Sequence, residues 1–149
     1  MKKAISLILL FSLIFLTSCR KTVRAEDIAL SFCEGYPLEA KVYSSLSIQG
    51  EEGYIDGEML TALYGISELT VDEFALVLYG KVSTVREFGV FITKNSDDRM
   101  EIIELATNRI NFLSSFAEGE GFVKRYRTVM VYGFVDNASR AEGLLDGLI

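Results

Sequence analysis

The side chains best suited to chemistry in this 149-residue chain are carboxylates, grouped at Asp56 and Glu58, at Asp72 and Glu73, and at Asp97, Asp98, Glu101 and Glu104. Two facing carboxylates could work as acid and base, and a larger cage of oxygens could hold calcium. None of the groups has EF-hand spacing. Asp97 to Glu104 reads more simply as the acidic first turn of a helix, where the positive end of the helix dipole favours it. Histidine is absent, so Ser-His and Cys-His pairs and histidine-ligated zinc have no partner within the chain. Gly119-Glu120-Gly121 lacks the preceding strand and third glycine of a dinucleotide loop, and its acid would repel phosphate. No cofactor, no metal and no catalytic set is expected, and the chain is read as a protein other than an enzyme.

Arg109 interrupts an otherwise apolar helical pattern. Its stem can lie over the core at the helix edge while the guanidinium pairs a carboxylate such as Glu87; the functional alternative is recognition of a ligand carboxylate. Lys124, Arg125 and Arg127 surround Tyr126 as a short basic cluster, read as a solvated turn or as a patch for docking a partner. Cys33 lies in the apolar segment Ala29-Leu30-Ser31-Phe32-Cys33. It is either a buried small hydrophobe or a thiol for intermolecular pairing, and no histidine is present to activate it.

The elements that must position these residues follow from periodicity. Apolar residues at Ile28, Ala29, Phe32 and Cys33 predict a helix over Ala25 to Glu34. An extended piece fits at Lys41 to Ile48. A second helix is expected over Glu58 to Tyr64, with Gly65 as its stop. Phe74 to Tyr79 and Phe88 to Ile92 are dense in strand formers and predict a hairpin or a pair of adjacent strands. Asn95 to Asp98 offers capping groups for a long helix of about five or six turns, with Met100, Ile103, Ile110, Leu113 and Phe116 inward. Gly119 and Gly121 end it. Arg127 to Val135 reads as a third strand, and Asp136-Asn137 caps a last helix running to Leu148. The expected class is α+β: a small sheet of about three strands with helices packed on one face. If the second and third strands run parallel, the long helix crosses right-handedly between them.

The N-terminus carries a separate signal. Lys2 and Lys3 precede 16 uncharged residues from Ala4 to Cys19, a little under the roughly 17–25 residues of a permanent spanning helix, and together they form the charged and apolar regions of a signal peptide. The run ends Leu16-Thr17-Ser18-Cys19, which resembles the bacterial lipobox. That resemblance implies a diacylglyceryl group on the Cys19 sulfur and cleavage between Ser18 and Cys19; the alternatives are an uncleaved anchor helix and a secretory peptide without a lipid. One acyl chain binds a bilayer marginally, whereas two, at about 0.8 kcal/mol per buried methylene, hold it stably. The organisation expected is a signal peptide over 1–18, a basic tether over 19–25 and one domain over 26–149. With Cys19 acylated, Cys33 has no partner for an intramolecular disulfide.

Charge divides along the same line. Arg20, Lys21 and Arg24 stand next to Cys19 without an acid, whereas residues 26–149 hold 10 basic and 21 acidic side chains, a balance of −11. Either the three cations are a solvated stop signal, or an anionic bilayer attracts each of them by about 1 kcal/mol and repels the acidic body, so that the domain stands off the lipid. Nucleic acid is a poor partner for such a body.

Ala62-Leu63-Tyr64-Gly65-Ile66, then Arg86-Glu87-Phe88-Gly89-Val90-Phe91, then Ile103 to Phe116 with Arg109, and finally Val129 to Ala141 together resemble a family of small Gram-positive lipoproteins recorded as a domain of unknown function. The resemblance covers about residues 57–149 and departs between Ala117 and Arg127, where the family has a longer, proline-containing stretch and often another strand. It implies the fold and a lipid anchor, and no chemistry. The expected function is that of a lipid-anchored protein on the outer face of the cell membrane, serving as an envelope interaction or binding module for a protein or a small ligand. The alternatives are a lipoprotein that presents a small ligand or peptide to a membrane partner, and a hydrolase using a carboxylate pair.

Overall fold

The computed structural model describes residues 23–36, 40–67, 70–81 and 84–149. The proposed leader, the Ser18–Cys19 cleavage point and all of the tether before Val23 lie outside these residues.

Among the described residues, nine elements follow in the order α1 (Ala25–Gly35), β1 (Lys41–Ser44), α2 (Gly57–Tyr64), β2 (Val71–Tyr79), β3 (Arg86–Thr93), α3 (Arg99–Ser114), β4 (Glu120–Tyr126), β5 (Val129–Val135) and α4 (Ala138–Leu148). The α+β class is as expected. The sheet, however, has five strands rather than three, in the order β1-β2-β3-β5-β4, and every neighbouring pair is antiparallel. β5 is therefore not the strand parallel to β3. β1 and β4 run in the direction of β3, and β5 is inserted between β3 and β4, so the α3 crossover leads to an edge strand.

Helices cover both faces of the sheet rather than one. On one face Ala75, Val77, Phe88, Val90 and Val131 pack against Ile28 and Phe32 of α1 and Ala141 and Leu145 of α4. On the other, Phe74, Leu76, Phe91, Met130 and Tyr132 pack against Leu60 and Tyr64 of α2 and Ile102 and Ala106 of α3. The reason is in the strands: all seven residues of β5 are buried, as strands covered on both sides must be, instead of alternating between core and water. Phe32 stacks on Phe88 with ring centroids 3.9 Å apart, and the Asn137 N–H donates to the Tyr36 hydroxyl at 3.0 Å, tying the end of α1 to the start of α4.

Local chemistry sets the helix ends. Asp56 Oδ1 accepts from the Met59 N–H at 2.8 Å and caps α2, and Gly65, at φ 71, stops it. Asn137 caps α4 through the Arg140 N–H. Asp98, by contrast, makes no side-chain cap to α3; its Oδ2 accepts from Asn95 instead. α3 spans 16 residues, shorter than expected, because the chain leaves the helix before Phe116. Its inward face is also rotated: Ile102, Ala106 and Leu113 are buried, whereas Met100 is 66% exposed.

Candidate functional site

The buried stripe of α3 runs through Ile102, Ala106 and Leu113, and at helical spacing the position between the last two is Arg109. Arg109 is thus not at the helix edge but within the core-facing stripe. On β3, alternate residues Glu87, Gly89 and Phe91 share the face that α2 and α3 cover. Glu87 is 1% exposed. The guanidinium meets it in a two-pronged pair, Nε to Oε1 at 2.8 Å and Nη2 to Oε2 at 2.7 Å, the geometry in which such pairs are strongest. The Arg109–Glu87 pairing expected from the sequence is present.

Two phenols complete the cluster. Tyr132, on β5 and opposite Gly89, donates its hydroxyl to Glu87 Oε1. Gly89 makes room for this: a Cβ there would lie 2.1 Å from Tyr132 Cε1. Tyr64 lies under the guanidinium, whose carbon is 5.2 Å from the ring centroid, with Phe112 at 5.4 Å on the same cation. The Tyr64 hydroxyl is buried and meets no acceptor or donor with hydrogen-bond geometry among the described residues.

The electrostatics are those of a charge pair set among protons held tightly. Hydrogen bonding to Glu87, stronger than the opposing effect of burial, pushes the Arg109 pKa further up. Burial first, and the Glu87 charge next, raise Tyr64 well above the ordinary phenol value. Burial likewise raises Tyr132, reinforced by Tyr64 and then by the Glu87 charge. The cluster is net neutral, with a fixed cation at its outer side.

That outer side opens into a cleft of about 270 Å³ lined by Leu63, Tyr64, Leu105, Asn108, Arg109 and Phe112. Glu87 uses one N–H at Nε and one at Nη2, which leaves three guanidinium N–H groups. Leu63 is 45% exposed, Phe112 57% and Phe116 41%, and the two phenylalanines meet edge to face at 5.1 Å. Tyr64→Phe should change the unfolding free energy by less than about 1 kcal/mol, since the buried hydroxyl lies near Tyr132 and Glu87 but makes no well-formed hydrogen bond. A melting curve checks this; a loss of about 1 kcal/mol or more would show that the hydroxyl is satisfied.

The other sequence candidates lie elsewhere. Asp56 and Asp72 line a second hollow of about 390 Å³ with Ser45, Tyr54 and Lys94, and Asp97 is not part of it. Asp97 accepts from the Ser96 hydroxyl on the β3–α3 loop. Glu73 holds the start of α1, accepting from the Ala25 N–H at 3.2 Å and pairing Arg24 at 3.1 Å. Gly119-Glu120-Gly121 leads into β4, where Glu120 accepts from the Ala138 N–H. The basic cluster is a strand rather than a solvated turn: Lys124 and the Tyr126 hydroxyl both bind Asp146 of α4, and only Arg127, at φ 55, lies in the β4–β5 turn. Cys33 is half-buried against the α1 core, and burial raises its thiol pKa. Among the described residues no group of three or more His, Cys, Asp or Glu is placed to hold a metal ion, and no helix is long and apolar enough to cross a membrane.

Tyr64, Tyr132, Asn108 and Phe112 were not singled out by sequence reasoning. The phase of Arg109 with Ile102, Ala106 and Leu113 was the available signal for Arg109 itself; the two tyrosines join it only through strand register and helix packing. Comparison of the chain with protein-family models, curated proteins and solved structures finds no match in any of the three.

Proposed function

We propose that this chain is an extracytoplasmic binding module rather than an enzyme, tethered to the cell membrane through a lipid on Cys19, and that it meets its partner at the Arg109 cleft. The observation that carries the binding reading is the buried Glu87–Arg109 pair at the floor of an apolar-rimmed opening. A pair of this kind is a poor way to gain stability, because well-packed apolar residues in its place are often neutral or better. Apolar side chains left exposed around a cationic floor are features of a contact surface.

The anchor reading rests on the Lys2 to Cys19 segment. The mature N-terminal peptide should begin at Cys19 and carry the mass of acyl chains, and Cys19→Ser should release the protein or leave it unprocessed. A mature N-terminus elsewhere, without acyl mass, would overturn the anchor. The cleft is tested separately by a photo-crosslinking residue in place of Phe112 in intact cells, with Leu30 on the opposite layer as control. Adducts specific to position 112 are expected, and equal labelling at both positions, or none, sinks the cleft.

One observation favours a hydrolase as the second reading: Asp56 and Asp72 share a hollow. Asn caps helices as well as Asp, so Asp56→Asn separates chemistry from folding. If it keeps α2 folded and abolishes a hydrolytic activity of the purified protein, the second reading replaces the first.

A further inference from the structure

Three features of the cleft narrow what can enter it. The first is size. About 270 Å³ falls below the roughly 300–1,000 Å³ of small-molecule sites, and so suits a single residue-sized group. The second is polarity without net charge: Glu87 already neutralises Arg109, so the spare guanidinium N–H groups can serve a neutral carbonyl, while a carboxylate would enter beside Glu87 and against a body of −11. The third is Asn108 on the cleft wall, an amide that supplies both an acceptor and donors and is not used by the described residues. A carbonyl acceptor and an N–H donor side by side, next to an apolar group, are the parts of one residue in an extended polypeptide.

The surroundings add a sign. On α3, one turn before Leu105 and Asn108, Glu101 and Glu104 are exposed, and the described residues offer them no partner. Resting on the binding reading above, we propose that the cleft docks an extended basic polypeptide segment. One apolar side chain of the segment enters among Leu63, Leu105 and Phe112; its peptide carbonyl accepts from Arg109 and its N–H donates to Asn108. Basic residues on either side of it lie by Glu101 and Glu104.

The test uses the full mature protein in nanodiscs and three probes: acetyl-Leu-amide, acetyl-Leu with a free carboxylate, and acetyl-Lys-Leu-Lys-amide. Binding is read by saturation-transfer NMR. The neutral amide should bind about tenfold more tightly than the acid, a difference of about 1.4 kcal/mol. The lysine-flanked amide should bind tightest and lose that advantage in high salt. Phe112→Ala and Asn108→Ala, both at exposed positions, should each weaken the amide at least about tenfold with the folded circular-dichroism spectrum retained. The proposal is overturned if the acid binds as well as the amide, if the two variants bind normally, or if no probe binds. Failure of the probes while position 112 still crosslinks in cells would remove the peptide chemistry and leave the cleft as a contact site; loss of both removes both.

Discussion

Glu87→Ala should cost the domain about 3–5 kcal/mol of unfolding free energy, the usual penalty for removing one partner of a buried ion pair. The residue is 1% exposed, and its loss strands several groups at once: the Arg109 guanidinium loses both bonds of its two-pronged contact, and the Tyr132 hydroxyl loses its acceptor. Against a typical total of about 5–15 kcal/mol, this is a large fraction. At roughly 2–8 °C per kcal/mol, the melting midpoint should fall by about 6 °C or more. The triple variant Glu87→Leu, Arg109→Met and Tyr132→Phe should recover most of that loss, because the cost lies in an uncompensated charge and a stranded hydroxyl rather than in absent attraction. Calorimetry on the set decides it: a single variant that melts within about a degree of the parent would mean that the pair is not buried as described.

The second large effect is alkaline unfolding. In the unfolded chain Tyr64 and Tyr132 lose their protons near the ordinary phenol value of 10.0, whereas in the fold burial and the Glu87 charge hold both protons on well above it. Above pH 10 the unfolded state therefore binds fewer protons than the native one, and stability must fall as pH rises. Below pH 10 both states are protonated and the contribution is fully present. Each phenol adds about 1.4 kcal/mol per pH unit, so the two together should give about 2.7 kcal/mol per unit. Tyr126, raised by burial and by its bond to Asp146, adds a smaller share because solvent screens it. Denaturant titrations between pH 9 and 12 measure the slope. Tyr64→Phe should remove about half of the two-phenol part, and a stability flat across that interval would show that the phenols titrate freely.

Most of the element order was legible because it is local. The αL glycine at 65 and the Asn137 cap are written in a few adjacent residues. β4 was hidden by its own composition: Gly119 and Gly121 look like stops, and Lys124-Arg125 looks like a solvated turn, yet Phe122 faces the core and Lys124 reaches Asp146 from a strand. The second helical layer was legible and was missed, since the continuous apolar run Val129 to Val135 already says that both faces are covered. At the site, Arg109 betrayed itself as a charge in an apolar helix. Tyr64 and Tyr132 could not, because a tyrosine among apolar residues looks the same whether its hydroxyl reaches a carboxylate or nothing. Only the register that sets Tyr132 opposite Gly89 brings it over Glu87.

The tie between α1 and α4 bears on the order of events as the chain is made. α1 emerges before the sheet, yet its packing partners include Phe88 and Val90 of β3 and Ala141 and Leu145 of α4, and the Tyr36 hydroxyl waits for an N–H 101 residues downstream. An 11-residue helix is marginal on its own, and contacts of such sequence separation form slowly. α1 is thus made before the elements it needs and is among the last that can settle, and its apolar face must be shielded from premature association until α4 has appeared.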